Sequence, residues 1–149
     1  MATRSEIIKK MTDEASGIQA FMEQEPTDEP VVLAERLALC NVYMARSGEM
    51  LARAKEMLND AVARVWEQKE ERLLKAGAQL AQKVIAGYCS EEQFLTDWLD
   101  RINKGLVHQA DNLRTLISYA KENMKTNRYA DEVRPDAGFE NARTAGGWQ

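Results

Sequence analysis

A single histidine, His108, and two cysteines, Cys40 and Cys89, are the only side chains of this 149-residue chain that ordinarily titrate near neutral pH. A nucleophilic triad would need one cysteine to meet His108 in space, and nothing in their spacing brings them together. The chain has no Gly-rich phosphate loop, no GxSxG elbow, no HExxH and no paired ExxH of the helical di-iron kind. The cysteines lack a CxxC spacing, and Cys40 falls in an apolar seam, where a thiol acts as a small hydrophobe. Reduced cysteines of a cytoplasmic protein are the plain reading. The sequence therefore predicts no enzyme, no cofactor and no metal.

Binding chemistry is better represented. On a helix, His108 projects with Lys104, Asp111, Asn112, Thr115 and Tyr119, away from the apolar seam. His108, Asn112, Arg114 and Tyr119 together supply hydrogen-bond donors and one aromatic ring, a set suited to gripping an anionic or ring-bearing ligand. The competing reading is a solvated face in which Arg114 and Ser118 form an ordinary intrahelical network. Glu49 with Arg53, and Asp60 with Arg64, stand four apart in the order that supports an exposed helix face.

The element that must carry these residues is a long amphipathic helix and its partners. Leu33, Leu37, Cys40, Met44, Ser47, Leu51, Ala54, Leu58, Ala61 and Val65 alternate steps of four and three, the heptad rhythm with one polar residue, Ser47, in the seam. Leu39, Tyr43, Met50 and Met57 widen the stripe. Such methionine-rich faces are more often core than recognition surface, although they can adapt to varied partners. The apolar pattern resumes at Leu73, Leu74, Leu80, Ala81, Val84 and Ile85 after the charged run Glu67–Arg72. A continuous helix over 30–86 would be roughly 80 Å long at about 1.5 Å per residue; the alternative is a break at Ala76-Gly77-Ala78.

Two further helices are expected. Thr3 followed by Glu6 is a capping box opening a helix over 4–24, which the prolines of Glu25-Pro26-Thr27-Asp28-Glu29-Pro30 end. Asp28 as cap with Pro30 in the first turn would start the long helix. Ser90 and Gln93 form a second capping-box spacing, opening a helix over 91–125 whose seam runs Leu95, Leu99, Ile102, Leu106, Ala110, Leu113, Ile117, Ala120 and Met124. A short turn at Tyr88–Ser90 would send it back antiparallel. The fold class is thus all-α: a long antiparallel helical hairpin, coiled-coil-like, with a short N-terminal helix. Residues 1–125 form one domain and 126–149 an irregular C-terminal tail, anchored by Phe139 and Trp148.

Composition narrows the partners. A net charge of −4 and a pI near 5.2 argue against a general nucleic-acid binder, which needs a basic field. No run of about 18 apolar residues exists to span a membrane. Glu6, Asp13 and Glu14 interrupt the first twenty residues, so no signal peptide is expected. One long apolar stripe is more than two shorter helices cover, which predicts a homo-oligomer, most simply a dimer.

Two stretches, Tyr43-Met44-Ala45-Arg46-Ser47-Gly48-Glu49-Met50-Leu51 and His108-Gln109-Ala110-Asp111-Asn112-Leu113-Arg114-Thr115-Leu116-Ile117-Ser118, resemble short helical accessory proteins encoded in tailed-phage genomes. The resemblance covers about residues 33–125. It implies a viral accessory context, in the host cell cytoplasm, and places His108, Gln109, Asp111 and Arg114 among the positions to test. The expectation that follows is a binding protein acting stoichiometrically on a host component, either blocking a defence protein or sequestering a small nucleotide signal. The rivals are a scaffold coiled coil of a phage particle or replication complex, and an accessory factor in phage DNA recombination.

Overall fold

Nothing from Pro30 to Ala76 breaks the apolar rhythm, and the chain there is one helix, α2. In the computed structural model, which describes residues 3–132 and side chains to 129, it is joined by α1 (Arg4–Glu23), α3 (Ala78–Tyr88) and α4 (Ser90–Glu132). No strand occurs among the described residues.

α1 opens as its sequence dictates. The Thr3 backbone N–H donates to Glu6 Oε2 at 2.6 Å and the Glu6 N–H donates to Thr3 Oγ1 at 3.3 Å, the reciprocal box that satisfies two otherwise orphaned donors. α2 starts differently from expectation. Glu29, not Asp28, is its N-cap, and no side chain bonds to the helix start. Pro30 in the first turn has no N–H to satisfy, and the Leu33 N–H reaches the Glu29 carbonyl at 2.9 Å.

Of the two readings of 30–86, the broken one is correct. Gly77 alone separates α2 from α3, with φ 78° and ψ 158°, a conformation essentially reserved for glycine. The chain reverses there and not at Tyr88–Ser90. At the latter place only Cys89 leaves the helix: its N–H donates to the Ile85 carbonyl and its own carbonyl accepts from Gln93 N–H, each at 3.0 Å. Ser90 and Gln93 therefore form no capping box, because the backbone already satisfies this joint. The Gln93 side chain donates instead to Asp97.

α3 and α4 thus follow one another along α2. The pairings run in opposite directions: Cys40 Sγ donates to the Leu106 carbonyl at 3.3 Å, and Asn103 Nδ2 to Ser47 Oγ at 2.9 Å and the Met44 carbonyl at 3.0 Å. This is the antiparallel hairpin that the heptad seam predicts. Its core is Leu33, Cys40, Met50 and Ala54 against Leu95, Leu99, Ile102, Leu106, Ala110 and Leu113. The one polar seam residue, Ser47, is completely buried and bonded to both Met44 and Asn103, so it fixes register at no cost in unpaired groups.

α1 lies in the groove between them, antiparallel to α2 and parallel to α4, and buries Met11, Ala15 and Ile18. Glu14 pairs with Arg46 of α2, Arg4 with Glu92 of α4, and the Trp98 indole N–H donates to Gln19 at 2.7 Å. Three helices therefore make a body, and α1 covers only the middle of the hairpin. Toward Gly77, the end of α2 meets only α3 and forms a two-helix arm whose buried apolar residues are Ala61, Leu73 and Ala81.

At the other end, α4 runs past the start of α2. With Cys40 opposite Leu106, Pro30 falls opposite roughly residue 116, which leaves about 24 Å of α4, as far as Glu132, beyond it. The helix runs on past 125 to Glu132, the last described residue: no proline or glycine occurs between Gly105 and Pro135, and the Thr126 hydroxyl donates to the Glu122 carbonyl. The first seven residues of the expected tail are therefore helical. Phe139 and Trp148, named as anchors, lie outside the described residues.

Candidate functional site

The polar strip lies on α4 as expected, with His108, Asn112, Arg114 and Tyr119 all exposed. Arg114 is committed within its own helix: Nη1 donates to Asp111 Oδ1 at 2.6 Å, and the Ser118 hydroxyl bonds to the Arg114 carbonyl at 2.9 Å. That is the solvated network of the competing reading. Neither His108 nor Tyr119 lines the cleft beside the α1–α2 connector. Only Asn112 does.

The cavity it lines is a cleft of about 400 Å³ where the α1–α2 connector meets α4, lined by Pro26, Arg36, Gln109, Asn112, Leu113, Thr115 and Leu116. Arg36 stands in the second turn of α2, three residues after Leu33 and four before Cys40, on the apolar side of the helix. It is 9% exposed. Its Nη2 donates to the Phe21 carbonyl at 2.8 Å and the Gln24 carbonyl at 2.5 Å, and the guanidinium lies 4.6 Å over the Phe21 ring. Phe21 in turn meets Tyr43 edge-on at 4.9 Å. From α4, Gln109 Nε2 donates to the Met22 carbonyl at 2.9 Å. Two side chains thus hold the C-terminal carbonyls of α1, which has no basic residue in its own last turn.

That clamp leaves polar capacity unspent. Arg36 Nε is buried with no partner, and so is Gln109 Oε1. Among the described residues no carboxylate pairs with Arg36, although five other ion pairs or networks join acids and bases elsewhere, from Arg4–Glu92 to Arg114–Asp111. Nearby, burial pushes the Cys40 thiol above its ordinary value of 9.0, against the opposing pull of the Arg36 and Arg114 charges. Burial likewise raises the Cys89 thiol. Both cysteines are therefore neutral, poor nucleophiles. Among the described residues no group of three His, Cys, Asp or Glu side chains is placed to hold a metal ion.

Arg36 is the residue that sequence reading missed. A signal was present: an arginine inside an apolar stripe, directly after a proline-rich connector, must find acceptors, and the nearest are the end of the preceding helix. Gln109 entered only through the phage-protein resemblance. Nothing local distinguishes it from any other polar residue on α4.

A second kind of surface occurs at the two ends. Along the arm, Leu74, Leu80 and Tyr88 are more than half exposed, and an apolar cleft of about 350 Å³ opens between Trp66, Leu74, Ala78 and Ile85. On the α4 overhang, Tyr119, Met124 and Tyr129 are more than half exposed. No helix among the described residues is long and apolar enough to cross a membrane. No protein-family model matches the chain, and neither a curated protein nor a solved structure matches it.

Proposed function

We propose that this chain is a non-enzymatic accessory binding protein of phage type, a homo-oligomer that acts stoichiometrically on a host protein in the host cytoplasm. The observation that carries the reading is the set of large exposed apolar side chains on the two-helix arm and on the α4 overhang, which add to those on the body such as Val31, Val42 and Phe94. Scattered single hydrophobes are ordinary on a protein surface, whereas Leu74, Leu80 and Tyr88 gathered on a two-helix arm favour a further layer of protein. A second copy of the arm completes a four-helix layer, the common solution for paired helical hairpins. The overhang of α4 then remains for the partner.

Native mass spectrometry of the full chain tests the oligomer. Wild type is expected at an integral multiple of the 16.9 kDa chain. The Leu74→Glu/Leu80→Glu double variant is expected at the single-chain mass, with its helix content kept. A wild type that stays monomeric at tens of micromolar would overturn the assembly. Tyr119→Glu/Met124→Glu is expected to keep the oligomer and lose the host protein.

A further inference from the structure

We propose that copies of this chain stack arm on arm in a head-to-tail sense, the cleft face of one arm seated on the opposite face of the next. It rests on the reading that the arm joins copies, and adds which surfaces meet. Two helices side by side give the arm two broad faces. One bears the apolar cleft of about 350 Å³, whose lining includes Trp66, Leu74, Ala78 and Ile85, with Gln82 as its one polar side chain. The other is marked by Tyr88, whose ring centroid lies 4.7 Å from the Lys69 ammonium. Leu80, Val84 and Tyr88 follow one another at steps of four, so Leu80 stands on that face too. It is 54% exposed, a projection where the first face has a hollow.

Charge divides the arm in the same way. Glu70 stands one turn from both Trp66 and Leu74, and Glu67 three residues before it, so two acids border the cleft face. Arg72 stands three residues after Lys69, so two bases border the Tyr88 face. None of the four joins an ion pair among the described residues. Each lies beside a residue of its own sign, an arrangement that destabilises a helix surface until opposite charge is set against it. Cleft face on cleft face would bring acids against acids, and Tyr88 face on Tyr88 face bases against bases. Unlike faces match in both respects: Leu80 of one copy meets the cleft of the next, and Lys69 and Arg72 meet Glu67 and Glu70. Because the two contact surfaces differ, every added copy leaves one of each open. The stack therefore grows until it closes as a ring or runs on.

Native mass spectrometry of the full chain tests the pairing, with circular dichroism to show that helix content is kept. Wild type is expected as species of three or more copies. Glu67→Lys/Glu70→Lys makes both faces basic, and Lys69→Glu/Arg72→Glu makes both acidic. Each variant alone is therefore expected at the single-chain mass. An equimolar mixture sets unlike charges together at both contacts and should give species of three or more copies that contain both variants. Either variant assembling alone as wild type does, or a mixture of the helical variants that stays monomeric, would overturn the head-to-tail stack. So would a wild type that stops at two copies, an outcome that leaves the arm as the joining element. A monomeric wild type overturns both.

Discussion

The body and the arm share α2, a single helix, yet they are built to different standards. In the body, α2 meets two helices and the seam holds branched side chains of full size: Leu33, Leu95, Leu99, Leu106 and Leu113 are essentially inaccessible. Along the arm the same helix meets only α3, and its buried positions shrink to Ala61 and Ala81 with Leu73 alone at full size. A buried leucine is worth about 2 kcal/mol of transfer and an alanine far less, so nearly all the hydrophobic stabilisation belongs to the body. Helix formation is continuous across the boundary while stability is not. A regular heptad pattern specifies where a helix runs, and the number of neighbours decides how firmly it is held.

Truncating one leucine in each region separates the body from the arm most strongly. Leu99→Ala should cost about 2–5 kcal/mol in denaturant unfolding, since its site is closed on all sides. Leu74→Ala, at a residue two-thirds exposed, should cost about 0.5 kcal/mol or less in the monomer. Equal losses would mean that the arm is as well supported as the body.

Gly77→Ala comes next. Its backbone angles are unsuited to any residue with a Cβ, although open space surrounds the position. The strain of about 1–3 kcal/mol should appear as faster hydrogen exchange in α3 and the end of α2, with the body unchanged. The cysteines sharpen the same contrast without mutation. Cys40 is sealed in the body and Cys89 sits at the joint between α3 and α4, each at most 1% exposed. Alkylation requires local opening, so Cys89 should be modified at least several-fold faster than Cys40 at neutral pH, as mass spectrometry of the labelled peptides would show.

The smallest effect concerns the edge of the body. Hydrogen bonds from Arg46 hold the Glu14 carboxyl below its ordinary value of 4.5. The folded chain thus holds that proton more weakly than the unfolded one. The pair's contribution is complete above about pH 4.5 and is lost as the pH falls through the lower, folded value. Both groups are partly exposed, so the loss should stay within about 1 kcal/mol and disappear in Glu14→Gln, read from melting curves at pH 6 and pH 3.

Most of the fold was legible because its signals are periodic. The seam from Leu33 to Val65, the Thr3–Glu6 box and the stop at Pro26–Pro30 each act locally, and each produced the element it predicts. The failures have particular causes. Ser90 and Gln93 have the residues of a cap, but the backbone at Cys89 keeps its own hydrogen bonds and leaves a cap nothing to do. Residues 126–132 have polar, loop-like composition but no helix breaker, so α4 continues through them. The candidate site was less legible, because Arg36 and Gln109 act across 12 to 87 residues of sequence on carbonyls at the end of α1. Side chains meeting a distant backbone leave no periodic trace. His108, Arg114 and Tyr119 were conspicuous by type, and the structure spends or exposes them singly.

The reversal at one glycine has a consequence for how such a molecule can vary. Among the described residues, the two-helix arm turned by Gly77 carries no third helix of the same chain. Seven residues added to α2 and seven to α3 would restore every facing pair, because the seam repeats at that interval. Each such step moves the tip about 10 Å while the body, its clamp and its cleft stay as they are. The reach of this protein is therefore a separately adjustable quantity, a ruler whose graduations are heptads.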